Sequence, residues 1–221
     1  MKNKLPKRLL AAMLLCSSIL SAQVPVSKEP LHKNVLENKY IRLLDVRVLP
    51  GDTTQYHIHS TPSVFLQFTN TSVGIQLKGK EWVKTKNIEG NASYRSFLND
   101  TLVHRVSNLD TAPFHVTDIE ILSSYNSNSQ QKPLPFTVLF ENENAVAYRL
   151  IKSSFNKQII SGRGPVIAEL VEGNEVKFHD TKNKKSTNIK TGKYLYIEPG
   201  SSFYFSAKEN ERINLVVVEI K

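Results

Sequence analysis

The chain has 221 residues, 40% of them hydrophobic and 22% charged, with a formal charge of +9. Four of its cations (Lys2, Lys4, Lys7, Arg8) precede the first apolar run and no acid accompanies them, so the rest of the chain carries only +5 of that +9. Its one cysteine, Cys16, lies in the same N-terminal segment, which excludes an internal disulfide and leaves the remainder without a thiolate nucleophile or soft metal ligand.

The cations, the apolar run 9–20 and Ser21-Ala22-Gln23 follow the order of a bacterial secretory signal peptide, so residues 1–22 are expected to be removed on export to the periplasm or medium. The run is shorter than the roughly 20 residues of a membrane span. A stable membrane anchor is therefore not expected.

From residue 40 onward the chain reads as short β-type segments punctuated by turns, with no long amphipathic helix. In the first half the segments are 40–49, 53–59, 64–69, 73–77, 94–97, 102–106 and 114–122. The second of these contains His57-Ile-His59, and a strand period of two places Gln55, His57 and His59 on one face. Two imidazoles at neighbouring levels need only one more ligand from an adjacent strand to hold a divalent ion. His104, on the face of Leu102 and Val106, is the expected supplier. His115 in Pro113-Phe-His-Val reads as a surface or edge residue, with a fourth pocket group as the alternative. His32 and His179 sit in polar surroundings that read as loops, and Asn70, Asn91 and Asn99 read as turn residues.

A stretch rich in Ser, Asn and Gln, ending at Pro133 and Pro135, reads as a linker over 126–135. The expected organisation is a signal peptide over 1–22, a first domain over 23–125, the linker, and a second domain over 136–221. The second domain repeats the pattern with segments 146–151, 166–171, 175–178, 194–198, 202–205 and 213–220. Aligning the two halves sets Tyr204 opposite His104, and no His-x-His stands where His57 and His59 would fall. Lys182, Lys184 and Lys185 have no interleaved aromatics, so they read as a solvated hairpin tip and a nucleic-acid partner is not expected. The fold class is all-β, a sandwich or barrel in each half.

Gly51 followed after five residues by His57-Ile-His59, and the later His104-Arg-Val-Ser-Asn108, resemble the two motifs of the cupin superfamily over about residues 40–122. The resemblance implies two tandem double-stranded β-helix barrels. It implies that His57, His59 and His104 bind Fe, Zn, Mn or Ni in the first barrel, with no organic cofactor, and that the second barrel is degenerate. The family's glutamate ligand falls on Ser63 or Val64 here. Gln67, on the face of Ser63, is the candidate replacement, and Ser63, Gln67 and Asn108 are candidate pocket residues. A three-histidine site without carboxylate also occurs in cupins of the thiol dioxygenase type. Three readings stay open: a metal-binding protein acting on a small molecule by dioxygenase- or isomerase-like chemistry, a metal-free small-ligand binder, and a structural module. Pairing into a homodimer through sheet edges belongs with the last.

Overall fold

A computed structural model describes residues 23–125, 133–151, 155, 157–208 and 211–221. The signal-peptide expectation for 1–22 and most of the linker expectation, 126–132, fall outside the described residues.

The first half contributes β1 (Val24–Pro25), β2 (His32–Glu37), β3 (Ile41–Val48), β4 (His57–His59), β5 (Ser63–Gln67), β6 (Thr71–Leu77), β7 (Trp82–Asn87), β8 (Ala92–Arg95), β9 (Leu102–Asn108) and β10 (Phe114–Ile121). They form two five-stranded sheets, β1-β4-β9-β6-β7 and β2-β3-β10-β5-β8. The second half contributes β11 (Thr137–Glu141), β12 (Ala145–Ile151), β13 (Ile160–Ser161), β14 (Val166–Glu172), β15 (Glu175–Asp180), β16 (Lys185–Lys190), β17 (Lys193–Ile197), β18 (Ser202–Ala207) and β19 (Asn214–Ile220). Its sheets run β11-β12-β19-β14-β17 and β13-β18-β15-β16. Position by position, the second pair of sheets repeats the first, with β1 alone lacking a counterpart. The repeat that the sequence carries only as a pattern is thus present in the topology of two tandem barrels.

Alternation along the strands sorts the apolar residues into three layers. On β3, Leu44, Val46 and Val48 join Val73, Val106, Phe114 and Val116 inside the first barrel. The opposite face of the same strand sends Ile41 and Leu43 outward, where they meet Ile119, Ile121, Val64 and Leu66. That outer face packs against Ala145, Ala147, Ile167, Val216, Val218 and Ile220 of the second barrel. Two sheets therefore close on each other back to back. Each fully buried aliphatic side chain in such a layer contributes about 1.5–3 kcal/mol.

The second barrel has a filled interior. Phe178, Phe203 and Phe205 lie with ring centroids 5.5–6.0 Å apart among Leu150, Ile160, Val166 and Leu215. Among the described residues, the gap beside Phe155, Ile160 and Phe205 amounts to about 10 Å³, too little to hold a ligand.

Several expectations need correction. Residues 53–59 are not one strand: β4 covers only His57–His59, preceded by a lone bridge from Thr53 to Ser107. The alternation breaks there, so Thr54 is buried and Gln55 points outward. His32 and His179 are strand residues of β2 and β15 rather than loop residues. Tyr204 does not occupy the position of His104, because the inward residues of β18 are Phe203 and Phe205; Tyr204 stacks outside on His179 at 4.3 Å. Strands β2, β7, β11 and β16 lie at sheet edges and are not foreseen in the sequence, since an edge strand such as Lys185–Lys190 is nearly all exposed and polar. The lysine-rich tip joins β15 to β16, with Asp180 paired to Lys185.

Candidate metal centre

Strand β4 lies between β1 and β9, with His57 directly opposite His104 and His59 opposite Leu102. Opposite residues on paired antiparallel strands, and alternate residues on one strand, share a face. The three rings consequently meet inside the first barrel, with centroids 5.1 Å (His57–His59), 4.6 Å (His57–His104) and 5.1 Å (His59–His104) apart. One nitrogen from each lies within 4.8 Å of the others. Among the described residues this is the histidine and carboxylate group whose ligand atoms come together in that way.

Local hydrogen bonds orient the rings. His57 Nδ1 lies 2.9 Å from the carbonyl oxygen of Gln55 and donates to it, while its Nε2 is buried without a partner. His59 Nε2 and His104 Nε2 are 3.1 Å apart. Two imidazole nitrogens bound to one ion at about 2.0–2.1 Å stand roughly 3.0–3.4 Å from each other, so the spacing of this pair already suits a shared metal. Burial, followed by the neighbouring imidazoles, pushes His57 down to about 3 and His104 to about 2. Both are thus neutral at pH 7 and offer lone pairs. The unpartnered buried Nε2 of His57 and the three-imidazole donor set fit a divalent ion such as Zn, Fe, Mn or Ni.

Two groups that sequence reasoning missed stand beside the triad. The His32 ring lies 4.6 Å from that of His57. Its Nδ1 is 2.6 Å from Glu29 Oε2, and Glu29 also accepts the backbone N–H of Leu31 and of Gln55. Against the upward push of burial, the His32 ring and the two backbone donors hold the Glu29 carboxyl below its ordinary value. Glu29 thereby anchors the backbone of Gln55, the residue whose carbonyl holds His57. On β10, Asp118 is 1% exposed and its Oδ2 is 3.4 Å from His59 Nδ1. The face of Phe114 and Val116 continues to Asp118, but both faces of β10 are apolar enough to conceal which one turns inward.

The histidines open onto a cavity of about 340 Å³, at the small end of the range for organic ligands. Its wall is mostly apolar, with Val46, Phe65, Val73, Phe97, Val106 and Val116 among the lining residues. Phe97 has a left-handed backbone (φ 59°) and stacks on His59 at 5.1 Å. Arg95 stands over Phe97 and pairs with Asp100 at 2.9 Å.

The remaining candidates divide. Gln67 lines the cavity, with Oε1 buried and unpartnered. Ser63 and Asn108 are fully buried but do not line it: the Ser63 hydroxyl donates to the Thr61 carbonyl at 3.1 Å, and the Asn108 amide braces Val48 and Ala112 at 2.8 and 2.9 Å. His115 is neither a pocket group nor a surface residue. It is buried in the layer between the barrels, 2.9 Å from Asp45 and stacked on Phe68.

No protein-family model matches the sequence, and no curated protein does. Solved structures match in fold. AerE from Microcystis aeruginosa is 12% identical, with 87% of this chain and 98% of that one covered and a TM-score of 0.58. A cupin 2 conserved barrel domain protein from Leptotrichia buccalis is 12% identical over 86% and 88% of the two chains (TM-score 0.55). The protein Ylba from E. coli is 9% identical over 87% and 85% (TM-score 0.61). The chain has the cupin fold, present twice in tandem, with a three-histidine cluster in the first barrel and an aromatic core in the second.

Proposed function

We propose that the first barrel binds one divalent transition metal through His57, His59 and His104, and that the cavity beside it takes a small organic molecule as ligand or substrate. The convergence of three imidazole nitrogens within 4.8 Å, inside an apolar cavity, carries this reading. A bound ion would supply Lewis-acid or oxygen chemistry of the dioxygenase or isomerase kind. The chain's own part is to hold the three nitrogens, keep His57 and His104 neutral by burial, and exclude bulk water with the Val46–Val106–Val116 wall. The basic and apolar order of residues 1–22 supports export, so the working location proposed is the periplasm or medium.

A metal-free binding pocket is the second reading. It is supported by the 3.1 Å contact between His59 and His104, where two imidazole nitrogens can satisfy each other without an ion. Metal analysis of the protein purified from an exporting host separates the two. Near-stoichiometric metal that is lost in both His57→Ala and His104→Ala is the expected result. Absence of metal after reconstitution with Fe(II), Zn(II), Mn(II) and Ni(II) leaves the metal-free reading standing. N-terminal sequencing of the same preparation tests export, with a start near Gln23 expected.

A further inference from the structure

The carboxylate that the cupin motif would place beside the histidines is missing from its usual strand, yet a buried carboxylate stands at the centre from another direction. Asp118 comes from β10, in the sheet opposite the histidine strands. It is 1% exposed and lines the cavity, and neither of its oxygens has a hydrogen-bond partner among the described residues. Its Oδ2 is 3.4 Å from His59 Nδ1, a nitrogen that also lacks a hydrogen-bond partner. A buried carboxylate left without donors is costly, so its retention among Phe114, Val116 and Phe65 calls for a use.

We propose that Asp118 is a positioning residue for the metal centre, an inference that rests on the metal reading above. Asp118 reaches the far side of the His59 ring from His104, so it acts behind a ligand rather than as one. With Asp118 Oδ2 facing His59 Nδ1, both buried and without another partner, the geometry assigns the ring proton of His59 to Nδ1. That leaves the Nε2 lone pair of His59 toward His104, whose own Nε2 is 3.1 Å away. Without an ion, His104 Nε2–H would donate to His59 Nε2; for both Nε2 atoms to hold an ion, the His104 proton would have to move to its own Nδ1. One carboxylate thus sets the order of protons along Asp118, His59 and His104, and carboxylate partners of this kind raise metal affinity by fixing the tautomer and orientation of the ligand ring. His57 receives the same service from the Gln55 carbonyl.

The test uses Asp118→Asn and the similarly sized, acceptor-free Asp118→Leu in the whole mature protein, with Zn(II) alone as the probe. Competition with a chromophoric chelator should show Zn(II) bound 10- to 100-fold more weakly in both variants. The melting temperature of each metal-free variant should be unchanged or raised, since neither buried oxygen of Asp118 has a close hydrogen bond to lose. A merely structural role would lower melting temperature and affinity together, and that outcome overturns the proposal, as does a Zn(II) affinity within twofold of the native value. Nitrogen-15 spectra of the metal-free native protein give a readout independent of metal: His59 should be the Nδ1–H tautomer, and finding it as Nε2–H overturns the inference. If the native protein takes up no Zn(II), the metal reading falls, while the tautomer still decides whether Asp118 orients His59.

Discussion

Single residues in this protein gain their character from burial more than from sequence neighbours. Glu169 lies on β14 in the layer between the barrels, fully buried, with one oxygen accepting from Thr117 Oγ1 at 2.7 Å and the other unpartnered. Burial pushes its carboxyl up to about 8 from the ordinary 4.5. The folded state therefore holds a proton that the unfolded chain releases between those two values. Its contribution to stability is complete below pH 4.5 and declines as pH rises toward 8, by roughly 1.4 kcal/mol per unit at most. Glu169→Gln keeps the acceptor for Thr117 and removes the titration. Melting curves at pH 5 and pH 8 should show a smaller loss of stability with rising pH in the variant than in the native protein, and equal losses would contradict the assignment. His57, His59 and His104 were legible in the sequence because a short spacing and a strand period declare them. Asp118 and His32 were not, since each reaches the site through a strand whose inward face is decided only by packing.

At the scale of elements, legibility follows how each strand is buried. Strands with an apolar run, such as β3, β10, β14 and β19, stand where the sequence places them to within about two residues. Edge strands β7 and β16 escape notice because their residues, Trp82–Asn87 and Lys185–Lys190, face water on most sides and carry lysines that discourage pairing with another sheet. The break before β4 escapes for another reason. The Gly51 turn (φ 83°) and the bridge from Thr53 to Ser107 use up the register that a continuous strand would need, and Thr54 enters the barrel in place of Gln55. The turn donates Asp52 N–H to the Leu49 carbonyl at 3.0 Å and so fixes where His57 begins its strand.

For the whole molecule, the two barrels share a scaffold and divide its uses. The first gives up side chains from its interior to hold a cavity of about 340 Å³, whereas the second fills the same space with phenylalanines. The back-to-back layer joins them, and each half alone would present its apolar face to water. Residues 136–221 expressed separately should associate or precipitate, with size-exclusion chromatography as the measurement; a stable, monodisperse monomer would show that the layer is dispensable. The shared layer also has a consequence for the metal centre. Strand β10 is buried along its whole length, presenting Val116 and Asp118 to the cavity and Thr117 and Ile119 to the neighbouring barrel. A single strand thus separates the cavity from the layer between the barrels. Glu169, through Thr117, and Ile167, beside Ile119, brace the outer face of the strand whose inner face carries Asp118, so the filled barrel is a guarantor of the other one's site.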